Sequence, residues 1–149
     1  MCSKVNWDER FMDLAKYVAN WSKDRSTGVG AVIVNHENTE LVKGYNGFPR
    51  GANDDVDSRH EKPTKYQWTE HAERNAIFKA AREGISTNGC KIYVNYFPCV
   101  DCSRAIIQAG IVELFAPKPD FDHQQWGESW RTALEMLTEC GVKVNYYDL

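Results

Sequence analysis

The chain has 149 residues, of which 42% are hydrophobic and 26% charged, with a formal net charge of −3. That length suits one compact domain over residues 1–149, and five Trp and six Phe supply a core without disulfide staples. The acidic balance argues against a partner with a polyanionic backbone, and a short phosphorylated metabolite remains compatible.

No N-terminal apolar run resembles a secretion signal, and the stretch Ala31-Val32-Ile33-Val34 is far too short for a bilayer. A cytoplasmic protein without a membrane partner is expected. Of the five cysteines, Cys99 and Cys102 form a Cys-x-x-Cys pair, while Cys2, Cys90 and Cys140 read as free thiols.

Phe11, Leu14, Ala15 and Val18 recur at helical spacing and predict a helix over residues 7–22. Val29–Asn35 and Leu41–Tyr45 read as an antiparallel strand pair around a turn-rich Asn35–Asn38. The polar segment from Gly47 to Trp68 reads as a long loop, a feature that usually carries function. Ala72, Ala76, Ile77 and Ala80 predict a helix over 69–82 that ends at Gly84. Lys91–Phe97 reads as a strand, Pro98–Ala109 as a helix closed by Gly110, and Val112–Ala116 as another strand. A helix over Gln124–Cys140 and a strand over Val142–Tyr147 complete the chain. Trp126, Trp130, Ala133, Leu134 and Leu137 form that helix's apolar stripe, and Trp126, Trp130, Tyr146 and Tyr147 are assigned to the core in preference to a subunit contact. This alternation predicts an α/β fold, a three-layer α/β/α sandwich with a mixed, mostly parallel five-stranded sheet.

Three residues have metal-ligand chemistry at a coherent spacing: His71, Cys99 and Cys102. Pro98 suits a first helical position, which places Cys99 and Cys102 one turn apart where unpaired N–H groups favour thiolate. His71 falls in the first turn of the preceding helix, so a strand crossover brings both helix N-termini to one sheet edge. One imidazole and two thiolates leave a fourth position for water, the mark of a catalytic rather than structural Zn²⁺ site. A base is then needed beside it, and Glu73 lies two residues beyond His71.

His71-Ala72-Glu73 and Pro98-Cys99-Val100-Asp101-Cys102 resemble the paired motifs of the cytidine/deoxycytidylate deaminase superfamily. Within it, Trp21–Asp24, Val29–Val34, Gly44–Gly51, His71–Ile77 and Ile107–Ile111 are similar to the deoxycytidylate (dCMP) deaminases. The resemblance implies hydrolytic deamination of dCMP to dUMP, with one Zn²⁺ per chain on His71, Cys99 and Cys102, and Glu73 as proton carrier. It places Ser22, Lys23 and Thr27 at the 5′-phosphate, Asn46 at the sugar, and Ala72 and Pro98 against the substrate. For Lys23 and Arg25, complementing the negative end of the preceding helix is an alternative. Tyr96 or Phe97 would stack on the base, one at most facing it by strand alternation.

The resemblance further implies a homo-oligomer, commonly a hexamer, activated by dCTP and inhibited by dTTP. The effector site would involve Gly44, Asn46, Gly51 and Asp54, with Asp54 and Asp55 holding a Mg²⁺ that accompanies the triphosphate. Asn46-Gly47 as a simple turn is the alternative. His60 and Cys90 are too few for a second zinc, and His36 and His123 read as surface residues. The competing functions are deamination of a free nucleoside or free base, deamination of a base in tRNA or single-stranded DNA, and a non-enzymatic zinc-stabilised binding module.

Overall fold

The computed structural model describes residues 5–148, so Cys2 lies outside the described residues. Its elements are α1 (Trp7–Ala19), β1 (Gly30–Val34), β2 (Glu40–Tyr45), a 3₁₀ turn (Asp57–His60), α2 (Lys65–Trp68), α3 (Ala72–Glu83), β3 (Lys91–Val94), α4 (Val100–Gln108), β4 (Glu113–Ala116), α5 (Gly127–Glu139) and β5 (Lys143–Tyr146). No helix among the described residues is long and apolar enough to cross a membrane.

The five strands form one sheet in the order β2-β1-β3-β4-β5. β1 pairs antiparallel with both β2 and β3, while β3–β4 and β4–β5 are parallel. Strands β2 to β5 therefore share one direction and β1 alone opposes them. The expected mixed sheet is present, and its second antiparallel pairing arises because β1 is inserted between β2 and β3.

Side-chain alternation divides the strands between two cores. Val32, Val34, Tyr93 and Phe115 pack with Phe11, Met12 and Ala15 of α1 on one face. Ala31, Ile33, Ile92, Val94, Leu114 and Ala116 face α3, α4 and α5 on the other. Tyr93 and Phe115 stack at 4.4 Å, and the Tyr93 hydroxyl donates to Asp8 at 2.6 Å, which ties the start of α1 to the sheet.

Element ends depart from expectation for local reasons. α1 stops at Ala19 because Trp21 and Ser22 donate to Val18 and Ala19, a tighter turn that cannot extend an α-helix. Cys99 is the N-cap of α4, with extended backbone (φ −70°, ψ 176°), so Pro98 lies before the helix and not at its first position. Gly84 closes α3 in the left-handed conformation (φ 70°), as predicted. The 47–68 segment contains the 3₁₀ turn and α2 and is not a featureless loop. Trp130 is buried as assigned, but Tyr146 is exposed, because β5 is an edge strand with one open face. His36 and His123 are on the surface.

Gly44 fixes how closely α3 sits on β2. A Cβ there would fall well inside contact distance of the Ala72 carbonyl and the Ala76 amide, both backbone atoms that cannot swing away. Gly44→Ala is expected to lower stability by about 2 kcal/mol, read as a lower midpoint in urea unfolding; an unchanged midpoint would show that α3 can shift freely.

Candidate active site

The chain returns to the sheet at an isolated antiparallel bridge between Gly47 and Glu70. Gly47 N donates to Glu70 O at 3.1 Å, and Glu70 N donates to Gly47 O at 2.8 Å. The whole 48–69 segment is thereby looped out, and the residue after the bridge is His71. Asn75 donates from Nδ2 to Tyr45 O at 2.8 Å and fastens the first turn of α3 to the end of β2. Beyond β3, the Trp130 indole donates to Phe97 O at 3.1 Å and holds the approach to Cys99.

His71 is the N-cap of α3, with extended backbone (φ −78°, ψ 152°), and not a first-turn residue. That conformation resolves a geometric conflict. Residues two apart in a regular helix point roughly opposite ways, but an extended N-cap leaves the helical path, so His71 and Glu73 can both face one place. Cys99 holds the same N-cap position in α4, and Cys102 is the third residue of that helix.

The donor atoms of His71, Cys99 and Cys102 lie within 4.8 Å of one another, the one such gathering among the described residues. Nitrogen and sulfur donors about 2.1 Å and 2.3 Å from a tetrahedral Zn²⁺ stand about 3.6 Å apart. His71 Nδ1 is 3.5 Å from Cys99 Sγ and 3.3 Å from Cys102 Sγ. The donor set fits zinc in type and in spacing.

Charge at this point is unevenly shared. A hydrogen bond from Cys102, aided by His71, pushes the Cys99 thiol down to about 4, while Cys102 is driven up because it retains the shared proton. The neighbouring Cys99 sulfur raises His71. Glu73 is buried, and burial, followed by the charge on Cys99, raises its carboxyl above the usual range. Alongside, Arg74 donates to Glu70 Oε1 at 2.6 Å, and the His71 amide donates to the same oxygen at 3.1 Å. The first turn of α3 is thus braced from outside.

His71, Glu73 and Cys99 line a cavity whose wall also includes Asn46, Thr27, Asp24, Lys62 and Lys65. Asn46 holds its wall together: its Oδ1 accepts from Val29 N at 2.8 Å and its Nδ2 donates to Thr27 O at 2.9 Å. Asn95, the residue after β3, binds the same stretch of chain, accepting from Gly30 N and donating to Gly28 O.

Residues 5–117 match the family described as "Cytidine and deoxycytidylate deaminase zinc-binding region". The chain belongs to this family of zinc-binding deaminases. It is 42% identical to an uncharacterised deaminase of Aliivibrio fischeri, over 96% of this chain and 95% of that one. It is 44% identical to the deoxycytidylate deaminase of Homo sapiens, over 74% of this chain and 64% of the human protein, a little under two thirds of that relative's length. Among solved structures, the dCMP deaminase of cyanophage S-TIM5 in complex with dCMP and dUMP superposes with a TM-score of 0.78 at 26% identity, covering 98% of this chain and all of that one.

In this deaminase the expected substrate residues divide. Ala72, Asn46 and Thr27 line the cavity. Ser22, Lys23 and Pro98 do not: Ser22 Oγ donates to Asn46 O, Lys23 pairs with Asp54 at 2.9 Å, and Pro98 is buried outside the cavity wall. Tyr96 and Phe97 both reach the cavity, because β3 ends at Val94 and strand alternation no longer applies to them. The expected effector residues have local roles: Gly44 admits α3, Gly51 sits at a turn with φ 88°, and Asp54 is joined to Lys23. Among the described residues no group of three His, Cys, Asp or Glu side chains forms around Asp54 and Asp55 to hold Mg²⁺.

Sequence reading missed Lys65. Its ammonium lies 3.3 Å from both oxygens of Asp24, with side chains only 11% and 8% exposed. Burial alone would raise Asp24, but the Thr27 and Ser26 amides and Lys65 outweigh it and hold the carboxyl below its ordinary 3.8. Its stabilising contribution is therefore complete above that pH and is lost as pH falls through the depressed folded value. Asp24→Asn keeps an amide acceptor but strands the ammonium, and is expected to cost about 3 kcal/mol at neutral pH. In urea unfolding the gap to the parent should begin to narrow as pH falls below 3.8 and close below the depressed folded value; a pH-independent gap would assign the loss to packing.

Proposed function

We propose that this chain hydrolyses the 4-amino group of dCMP to give dUMP and ammonia. The observation that carries the reading is a buried carboxyl, Glu73, facing the cavity beside a three-donor zinc site of one imidazole and two thiols. A structural site would present four protein ligands, and here the described residues offer three. The buried acid beside them has a catalytic position that a binding module would not need.

His71, Cys99 and Cys102 would hold the ion, which when bound supplies Lewis-acid activation of water. Glu73 takes the proton of the attacking water and delivers it to ring N3. It then takes the second proton from the hydroxyl added at C4 and passes it to the amino group, so that the C4–N bond breaks, ammonia leaves and the C4 carbonyl of dUMP forms. Its raised carboxyl suits this double duty, since a group poised nearer neutrality both accepts and returns a proton. Thr27 and Asn46 on the wall, with Tyr96 and Phe97 at the metal end, would orient sugar and base.

The choice of dCMP over a nucleoside or polynucleotide is supported by the deoxycytidylate deaminases among the relatives and by two lysines in the cavity lining. The net charge of −3 disfavours a polynucleotide substrate. A homo-oligomer, a hexamer by family resemblance, and regulation by dCTP and dTTP belong to the same reading.

Ammonia release from dCMP, deoxycytidine and a cytosine-containing oligonucleotide, with and without dCTP and Mg²⁺, tests the proposal. dCMP should give the highest kcat/KM, and a preference for the oligonucleotide or nucleoside would refute the substrate. Glu73→Gln is expected to lower kcat about a thousandfold while zinc, measured by atomic absorption, stays at one per chain. Retained turnover in that variant would remove Glu73 from the chemistry.

A further inference from the structure

Two segments contribute to the cavity wall and meet each other: the 22–27 loop, through Asp24, Ser26 and Thr27, and the looped-out 48–69 segment, through Lys62, Lys65, Tyr66 and Thr69. Three ion pairs join them. Lys23 meets Asp54 at 2.9 Å, Arg25 meets Asp57 at 2.9 Å, and Lys65 meets Asp24 at 3.3 Å. Each pair takes one partner from each segment, so every lysine and arginine of the 22–27 loop is matched by an aspartate.

Lys62 is different. It lies on the looped-out segment and lines the cavity, and among the described residues no carboxylate pairs with it. Lys65 also lines the cavity, but its charge is balanced by both oxygens of a buried Asp24. Of the two lysines on the wall, Lys62 alone carries uncompensated positive charge. Ser26 and Thr27 lie on the same wall, and their amides are already engaged by Asp24 Oδ1, which leaves their hydroxyls as the donors of that turn.

We infer that Lys62 is the residue that recognises the 5′-phosphate of the substrate, opposite the hydroxyls of Ser26 and Thr27. Lys65 is a positioning residue that holds the 22–27 loop against the segment carrying Lys62. The inference rests on the dCMP reading and deepens it. It relocates the cation for the phosphate from Lys23 and Arg25, which the resemblance favoured, to a residue about forty positions further along the chain. An ammonium on a flexible stem can meet a phosphate dianion as a point charge without the fixed fork that arginine needs.

The test is the ratio of kcat/KM for dCMP to that for deoxycytidine, measured on the parent enzyme and on Lys62→Gln, Lys62→Arg and Lys23→Gln. In the parent, a ratio near one overturns the dCMP reading and this inference with it. Given a preference for dCMP, Lys62→Gln is expected to lower the ratio by about tenfold to a hundredfold, through KM for dCMP, with deoxycytidine turnover unchanged. Lys62→Arg should restore most of the preference. An unchanged ratio in Lys62→Gln, or an equal loss on both substrates, overturns the assignment while leaving the dCMP reading intact. A collapse of the ratio in Lys23→Gln but not in Lys62→Gln returns the phosphate to the 22–27 loop.

Discussion

The arrangement depends on two helices starting at the same place with a ligand as the capping residue of each. His71 and Cys99 are both N-caps with extended backbone, and both side chains therefore leave the helical path toward a common point. The helix starts also supply unpaired N–H groups, whose partial positive charge favours sulfur as thiolate. Neither effect survives if one helix begins a residue earlier, because the ligand would then rotate onto the helix surface.

That constraint explains several features away from the metal donors. Gly44 lets α3 approach β2 closely, the Gly47–Glu70 bridge fixes the residue before His71, and Asn75 fastens α3's first turn to Tyr45. On the other side, Trp130 holds Phe97, and Ser129 Oγ accepts from the Val100 amide at the start of α4. The sheet provides the common reference, since β2 and β3 run the same way and both deliver their chains to the same edge. β1 between them carries no ligand, but the Asn46 and Asn95 amides that flank it bind the same stretch of chain at its start.

The looped-out segment adds walls to the cavity beside the metal donors. A chain passing directly from Gly47 to Glu70 would keep the bridge and the donors yet lack the wall residues Lys62, Lys65, Tyr66 and Thr69. The inserted residues are tied to the 22–27 loop by ion pairs. A buried pair such as Lys65–Asp24 contributes less to net stability than to fixing one arrangement, because desolvation offsets much of its attraction. Fixing one arrangement is what recognition of a small anionic ligand requires.

The strands, the long helices and the gathering of three candidate metal donors were legible in the sequence, because each is signalled locally. Alternation marks strands, three-and-four spacing marks helices, and His71, Glu73, Cys99 and Cys102 sit in two short motifs next to helix starts. The direction of β1 relative to β3, the capping positions of His71 and Cys99, and the exposure of Tyr146 were not legible, since they depend on which neighbours the chain meets after folding. The charges show this most clearly. Lys23 and Arg25 read as a phosphate-binding pair in one dimension, but in three dimensions aspartates 31 and 32 residues away neutralise them. Ion pairing acts over a few ångströms irrespective of sequence distance, so only the tertiary structure decides which positive charge remains for a ligand.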